Sequence, residues 1–235
     1  MMFGWLKSRF SKPQQASQES VTTWVYIWNM TRDGPGHVAI QVGGNKPKIN
    51  KEDEGEYMSL HPCDFPSMGI TSVLPLPAAT AETLTEDTEA QAVSDNPVFD
   101  QAGLVMHGSR YQALSPLKPS QTIQLKHLDT RAMLQRIQTI KEGVETGATC
   151  YQLFPNVDVA RLLNEAPIFI SQDPVDVMVS QTFFSRNMKR AIQPHNCATL
   201  VGDILKTGGV DVKISSLPWG ITPDGLGSQI NSASK

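Results

Sequence analysis

Hydrophobic and polar residues alternate along three segments near the start of the chain. In residues 22–31 (TTWVYIWNMT), three aromatic side chains share one face and β-branched side chains share the other. Residues 37–42 (HVAIQV) alternate in the same way after a Gly-Pro-Gly turn, and residues 57–61 (YMSLH) form a shorter run that Pro62 stops. A period of two with aromatic and β-branched residues is typical of strands. This part of the chain is therefore predicted to form an antiparallel meander.

Apolar residues recur with helical spacing in two later segments. The first follows Asp129, a residue suited to an N-cap, and ends at Gly147. The second begins at Cys197, carries one apolar stripe and stops at a pair of glycines, 208–209. Further strands are expected at 122–128 and 210–215. These elements together predict an α+β fold in which an antiparallel sheet packs against the helix that begins at Cys197.

The remaining segments define the predicted domain organisation. A chain of 235 residues suits one domain. Residues 1–20 are expected to be a flexible leader, residues 21–226 a single catalytic domain, and residues 227–235 a flexible tail. Within the domain, residues 76–102 are rich in Ala, Thr, Glu and Asp and are predicted to form a long surface loop. Residues 151–194 are interpreted as a helical insertion or packing layer.

Composition narrows the class of protein. Hydrophobic residues make up 40% of the chain and the formal net charge is -3, without the clustered basic stripe of a nucleic-acid partner. No apolar run approaches the roughly 18 residues of a membrane span. Residues 1–12 mix aromatic and basic side chains, which suits weak contact with a membrane. Three widely spaced cysteines do not form a disulfide framework, so we expect a reducing, cytosolic setting on synthesis.

Cys197 is the strongest candidate for chemistry. It stands in the segment His195-Asn196-Cys197 at the start of a predicted helix. Free backbone N–H groups and the helix dipole at that end stabilise an anion, so they favour the thiolate that attacks a carbonyl. The same N–H groups can hold the oxyanion that forms. The alternative interpretation is a small buried residue that packs a core helix.

His37 is the predicted base, because an imidazole at the exposed end of a strand can reach a thiol at a neighbouring helix N-terminus. A third group should orient that imidazole. On the third predicted strand, Ser59 and His61 share one face and could bond to His37. We favour His61 as the third catalytic residue, and the alternatives that stay open are Ser59, Gln41, Asp64 and Asp87.

A family resemblance follows from these segments. A strand reading GHVAIQV, a strand reading EYMSLHP, the segment NCATLVGDILKTGG and a later TPDGL occur in that order. This resembles the circularly permuted papain-like cysteine enzymes, which include the lecithin:retinol acyltransferase branch, NlpC-type permuted peptidases and cysteine domains of bacterial toxins and effectors. The resemblance implies a papain-like fold with the histidine strand before the cysteine helix, His37 as base and Cys197 as nucleophile.

The expected function is a cysteine-dependent hydrolase, a protease, amidase or deamidase, that acts on a protein or peptide without a cofactor. An acyltransferase of the same fold is the alternative. The resemblance also suggests a bacterial effector that is secreted into a host cell. Two rivals belong to other classes: a non-catalytic interaction module, and a structural zinc site built from two His-x-Cys pairs, 61–63 and 195–197.

Overall fold

The computed structural model shows a mixed α+β protein built around an antiparallel sheet. The residues that it describes are 21–31, 34–63, 67, 69–91, 93–94, 114–158 and 192–233. The α+β class predicted from the sequence is confirmed. Among the helices of this described part, none has the length and apolar character needed to cross a membrane.

Five antiparallel strands form the central sheet, in the order β4-β3-β2-β1-β7. They are β1 (Thr23–Trp28), β2 (His37–Val42), β3 (Glu56–Pro62), β4 (Ala78–Ala81) and β7 (Gln121–Leu125). Two smaller sheets pair β5 (Val93–Ser94) with β6 (Leu114–Ser115) and, in parallel, β8 (Thr149–Tyr151) with β9 (Gln193–His195). The three strands predicted for the start of the chain and the strand predicted near 122–128 are confirmed.

Both faces of the sheet are buried, because alternate residues of β1 and β2 enter two separate clusters. The larger cluster joins Val25, Ile27, Val38 and Ile40 to apolar residues from the helices. The smaller one contains aromatic residues that alternate with these: Trp24, Tyr26, Trp28 and Tyr57. Every residue of β1 and β2 is consequently buried, His37 included. The prediction that His37 lies at an exposed strand end is wrong.

Helix α2 (Thr130–Thr146) begins and ends where the sequence predicts. The side chain of Asp129 accepts the backbone N–H of Ala132, which satisfies one of the unpaired donors of the first turn. Gly147 ends the helix with a φ of 71°, a left-handed conformation that glycine adopts without the steric cost that a Cβ would impose. The buried face of α2 carries Met133, Ile137 and Ile140 into the larger cluster.

Helix α3 (Cys197–Thr207) is the central helix of the larger cluster. A capping box fixes its start: the Asn196 side chain accepts the N–H of Thr199, and the Thr199 hydroxyl accepts the N–H of Asn196. Leu200 and Ile204 are fully buried against the sheet. Burial of each such side chain stabilises the fold by about 1.5–3 kcal/mol. Packing therefore fixes the position of Cys197 relative to β2.

Within residues 76–102, the described residues 76–91 and 93–94 do not form the long surface loop that the composition suggested. They contain β4 and helix α1 (Leu84–Ala90), which Thr83 caps by accepting the N–H of Glu86. The helix buries Leu84 and Asp87. The prediction failed because the buried anchor of this helix is a carboxylate, which a search for apolar periodicity does not count. Residues 95–102 lie outside the described residues.

Two predictions for the end of the chain are also wrong. The supposed flexible tail, 227–235, belongs for the most part to helix α4 (Pro223–Ala233), which buries Leu226 and Ile230. Residues 210–215 do not form a strand. The side chain of Gln229 on α4 instead bonds both the N–H and the carbonyl of Lys213, so this segment needs no neighbouring strand to satisfy that backbone.

Several predictions fall on residues outside the described part. These are the leader, 1–20; most of the expected helical insertion of 151–194, namely 159–191; the candidate residue Asp64; and the last two residues of the tail, 234–235.

Candidate active site

Cys197 is the first residue of α3 and is only 5% exposed. Burial raises the pKa of its thiol, and the nearby backbone N–H groups of Val38 on β2, of Ala198 and of Cys197 itself oppose that rise. Such N–H groups stabilise a thiolate. The thiol therefore lies near the end of β2 at which His37 stands.

This contact occurs where the pairing of β2 with β3 stops. The last residue pair of that ladder is Ala39 with Ser59, whereas β3 continues to Pro62 in its pairing with β4. Val38 lies one residue beyond the last pair, and its N–H is near enough to the Cys197 thiol to lower the pKa of that thiol. The end of the ladder thus lets a thiol from the helix-covered face meet the strand that carries His37.

His37 projects from the opposite face of the sheet to the Val38 side chain, because neighbouring residues of a strand alternate. Its ring lies 5.3 Å from that of Trp28 and stacks 4.4 Å from that of His61. The ring is held between these two neighbours at 3% exposure of the residue. Its Nε2 lies 3.3 Å from Oδ1 of Asp87, close enough for attraction but without the alignment of a hydrogen bond.

Asp87 is a fully buried carboxylate with a shell of donors. The Tyr57 hydroxyl donates to Oδ2 at 2.6 Å, and the Ser59 hydroxyl donates to Oδ1 at 2.8 Å. His61 Nε2 lies 2.5 Å from the same Oδ1. An ionised carboxylate only accepts, so the ring nitrogens facing it are expected to carry hydrogens. For His37, a hydrogen on Nε2 leaves Nδ1 with a free lone pair.

The pKa shifts favour a neutral Cys197 thiol and a neutral His37 imidazole in the resting protein. Burial raises the pKa of the Cys197 thiol to about 11, although the three N–H donors oppose this. Burial also lowers the pKa of His37, while the nearby Asp87 carboxylate works in the other direction. Burial alone would raise the pKa of Asp87, but the two histidines outweigh it and hold that pKa well below its usual range. Asp87 is therefore ionised at neutral pH.

The residues predicted as candidates to orient the His37 imidazole lie at different positions in the structure. His61 and Ser59 both lie at the site, and each hydrogen-bonds to Asp87. The His61 ring stacks on the ring of His37. Gln41 lies elsewhere: its side chain accepts the Tyr26 hydroxyl and the Lys48 N–H, which anchors a loop. Asp87 is the carboxylate beside His37. The sequence offered it only as an alternative, because the helix that delivers it was mistaken for a loop.

The predicted zinc set is not brought together. Among the described residues, the metal-type donors that converge are His37, His61 and Asp87, whereas the other three members of the predicted set, Cys63, His195 and Cys197, take no part in that group. The two imidazoles of the group are stacked at an interplanar angle of 27°. The ligand atoms of this group lie within 4.8 Å of one another, and the group contains no cysteine, so it is not the predicted set of two imidazoles and two thiolates.

Comparison of the chain with family models, with curated proteins and with solved structures finds no match. The resemblance to permuted papain-like enzymes therefore stays a prediction, and the site is interpreted from its own geometry.

Proposed function

We propose that the protein is a cysteine-dependent hydrolase that cleaves a peptide or amide bond, with Cys197 as nucleophile, His37 as base and Asp87 as the orienting carboxylate. The observation that carries the proposal is that the Cys197 thiol lies near the Val38 N–H of β2, the strand whose first residue, His37, faces a buried carboxylate. A nucleophile, a base and an orienting acid are the three roles that such catalysis requires.

In the first half of the reaction, His37 takes the thiol proton while the Cys197 sulfur bonds to the substrate carbonyl carbon. The carbonyl electron pair moves to oxygen, and the N–H groups at the start of α3 are the donors available to that oxyanion. When the electron pair returns, the carbon–nitrogen bond breaks and the amine leaves with the proton from His37. An acyl-enzyme on Cys197 remains.

In the second half, His37 takes a proton from water, whose oxygen attacks the acyl carbon. The carbon–sulfur bond then breaks, the acid product leaves, and the proton returns to sulfur. In both halves His37 is transiently an imidazolium. The ionised Asp87 stabilises that cation, and its bonds from Tyr57, Ser59 and His61 keep it in place.

The proposal is tested with p-nitrophenyl acetate, a small activated acyl donor. We expect release of p-nitrophenolate together with an acetyl group on Cys197, detected by mass spectrometry of the intact and digested protein. Cys197→Ala should abolish both signals, and Cys150→Ala, which removes an equally buried thiol, should retain both. Undiminished turnover by Cys197→Ala would refute the proposal.

The same experiment separates hydrolysis from transfer. With an added amine, a hydrolase releases mainly acetate, whereas an acyltransferase yields mainly the acetylated amine.

A further inference from the structure

The segment 215–220 (SSLPWG), which we call the tryptophan loop, is fastened to the start of the cysteine helix. The Asn196 side chain, which caps α3, also donates to the Trp219 carbonyl at 2.9 Å. The Asn156 side chain donates to the carbonyls of Leu217 and Ser215 at 2.7 and 2.8 Å. The residue directly before the nucleophile is therefore bonded to the backbone of Trp219.

The loop is also closed on itself. The Ser215 hydroxyl donates to the Gly220 carbonyl at 2.6 Å, and the Gly220 N–H donates to the Leu217 carbonyl at 2.8 Å. Gly220 has a φ of 66°, and a Cβ there would come within 2.8 Å of the Thr199 methyl carbon. The loop backbone is thus seated on the first turn of α3 in one conformation, which favours a preorganised surface.

The large side chains of this ordered loop are directed outward. Leu217 is 50% exposed and Trp219 is 40% exposed. A tryptophan usually buries much of its area, since aromatic side chains contribute a large hydrophobic gain when they are covered. No residue of the segment SSLPWG carries a charge. The loop therefore presents apolar and uncharged groups next to the N-terminus of the helix that begins with the nucleophile.

We propose that Leu217 and Trp219 form the substrate-recognition wall of this site and accept an uncharged, apolar group of the substrate next to the bond that Cys197 attacks. The inference rests on the proposed function, because it assigns substrate class to the same site. Two features of the loop select this occupant: the hydrogen bond from Asn196, the residue before Cys197, to the Trp219 carbonyl, and the lack of charge along the loop. A charged substrate group would lose hydration at this wall without gaining a partner.

The experiment compares two alkylating probes, iodoacetamide and N-benzyliodoacetamide, by their rates of reaction with Cys197 in the full chain, measured by peptide mass spectrometry. Wild type should prefer the benzyl probe. Trp219→Ala should lower the benzyl-to-parent rate ratio by roughly three- to tenfold, the range of one aromatic contact. Trp219→Phe should restore most of the preference. Leu134→Ala, which removes a similarly exposed leucine on α2, should leave the ratio unchanged.

Each outcome decides between the two claims. An unchanged ratio in Trp219→Ala and in Leu217→Ala, with Cys197 still reactive toward iodoacetamide, overturns the recognition wall but not the hydrolase. Failure of Cys197 in wild type to react faster than Cys150 with either probe overturns both. If Trp219→Ala does not fold, the ratio in Leu217→Ala decides, because a wall formed by both side chains must lose part of its preference when Leu217 is truncated.

Discussion

Cys150 and Cys197 are two buried thiols in one molecule whose surroundings differ. Their exposed fractions are 6% and 5%, and burial raises the pKa of each to about 11. Cys150 lies within β8, and its thiol donates to the Gln193 carbonyl at a distance of 4.0 Å. Cys197 has three N–H donors and lies against the strand of a histidine that faces a carboxylate. The exposed fractions of the two residues match, so a faster reaction of Cys197 would come from the base and the donors and not from greater exposure.

Loss of the proposed base, His37, is expected to have the largest effect on the difference in reactivity between Cys197 and Cys150. His37→Ala should slow the reaction of Cys197 with iodoacetamide by about 10²–10⁴-fold, the usual contribution of a general base, and leave the rate at Cys150 unchanged. The measurement is time-resolved peptide mass spectrometry at pH 7.

His195→Ala is the matched control for that variant. His195 stands two residues before Cys197, but its electrostatic neighbours are Asp203 and Arg136. Equal slowing by the two histidine variants would show that His37 has no special role.

The next effect comes from the orienting carboxylate. Asp87→Asn should slow alkylation of Cys197 by about 10²-fold, less than loss of the base, because the imidazole stays but its cation loses a stabilising charge. Asp203→Asn, which alters a half-buried carboxylate paired with Arg136, should change the rate by less than about twofold. A reaction rate unaffected by Asp87→Asn would remove Asp87 from the proposed mechanism.

The same carboxylate should make stability depend on pH. Its pKa is lowered in the folded state, so its stabilising contribution is complete above its unfolded pKa of about 3.9 and is lost as the pH falls through the folded value. At pH 7, Asp87→Asn should lower the free energy of unfolding by about 1–3 kcal/mol, because the buried network loses the negative charge and one of its two acceptor oxygens. Urea unfolding of both proteins at pH 7 and below pH 3.9 checks this. If the difference in unfolding free energy between wild type and Asp87→Asn grew below pH 3.9, the expected pH dependence would be contradicted.

The smallest effect comes from the helix cap. Asn196→Ala should lower the free energy of unfolding by about 1–2 kcal/mol and slow Cys197 alkylation several-fold, since the side chain caps α3 and also donates to the Trp219 carbonyl. Asp129→Ala also removes a helix cap and lowers stability, but it should not change the rate at Cys197. Matching rate losses in both variants would show that the effect is global instability and not local alignment.

The sequence predicted the elements that have strong periodicity or capping residues. The strands β1, β2 and β3, the helix α2 with its Asp129 and Gly147 ends, and the start of α3 at Cys197 all follow from such patterns. A periodic pattern reports local structure well because it depends on neighbours in the chain.

The sequence could not identify the position of Asp87 or the burial of His37. Both depend on α1, a seven-residue helix whose anchor is polar. A buried carboxylate stabilised by Tyr57, Ser59 and His61 is a tertiary feature, since its partners come from a strand that lies 26 to 30 residues away along the chain. The one local signal was the Thr83–Glu86 spacing, which marks a helix start.

The most direct test of the central claim is the relative rate of alkylation of Cys197 and Cys150 by iodoacetamide at pH 7, measured in the same wild-type sample. Because the exposed fractions match, the His37–Asp87 pair predicts that Cys197 reacts at least about 10²-fold faster. Equal, slow reaction of both thiols would contradict the account and leave Cys197 as a packing residue at the start of a core helix.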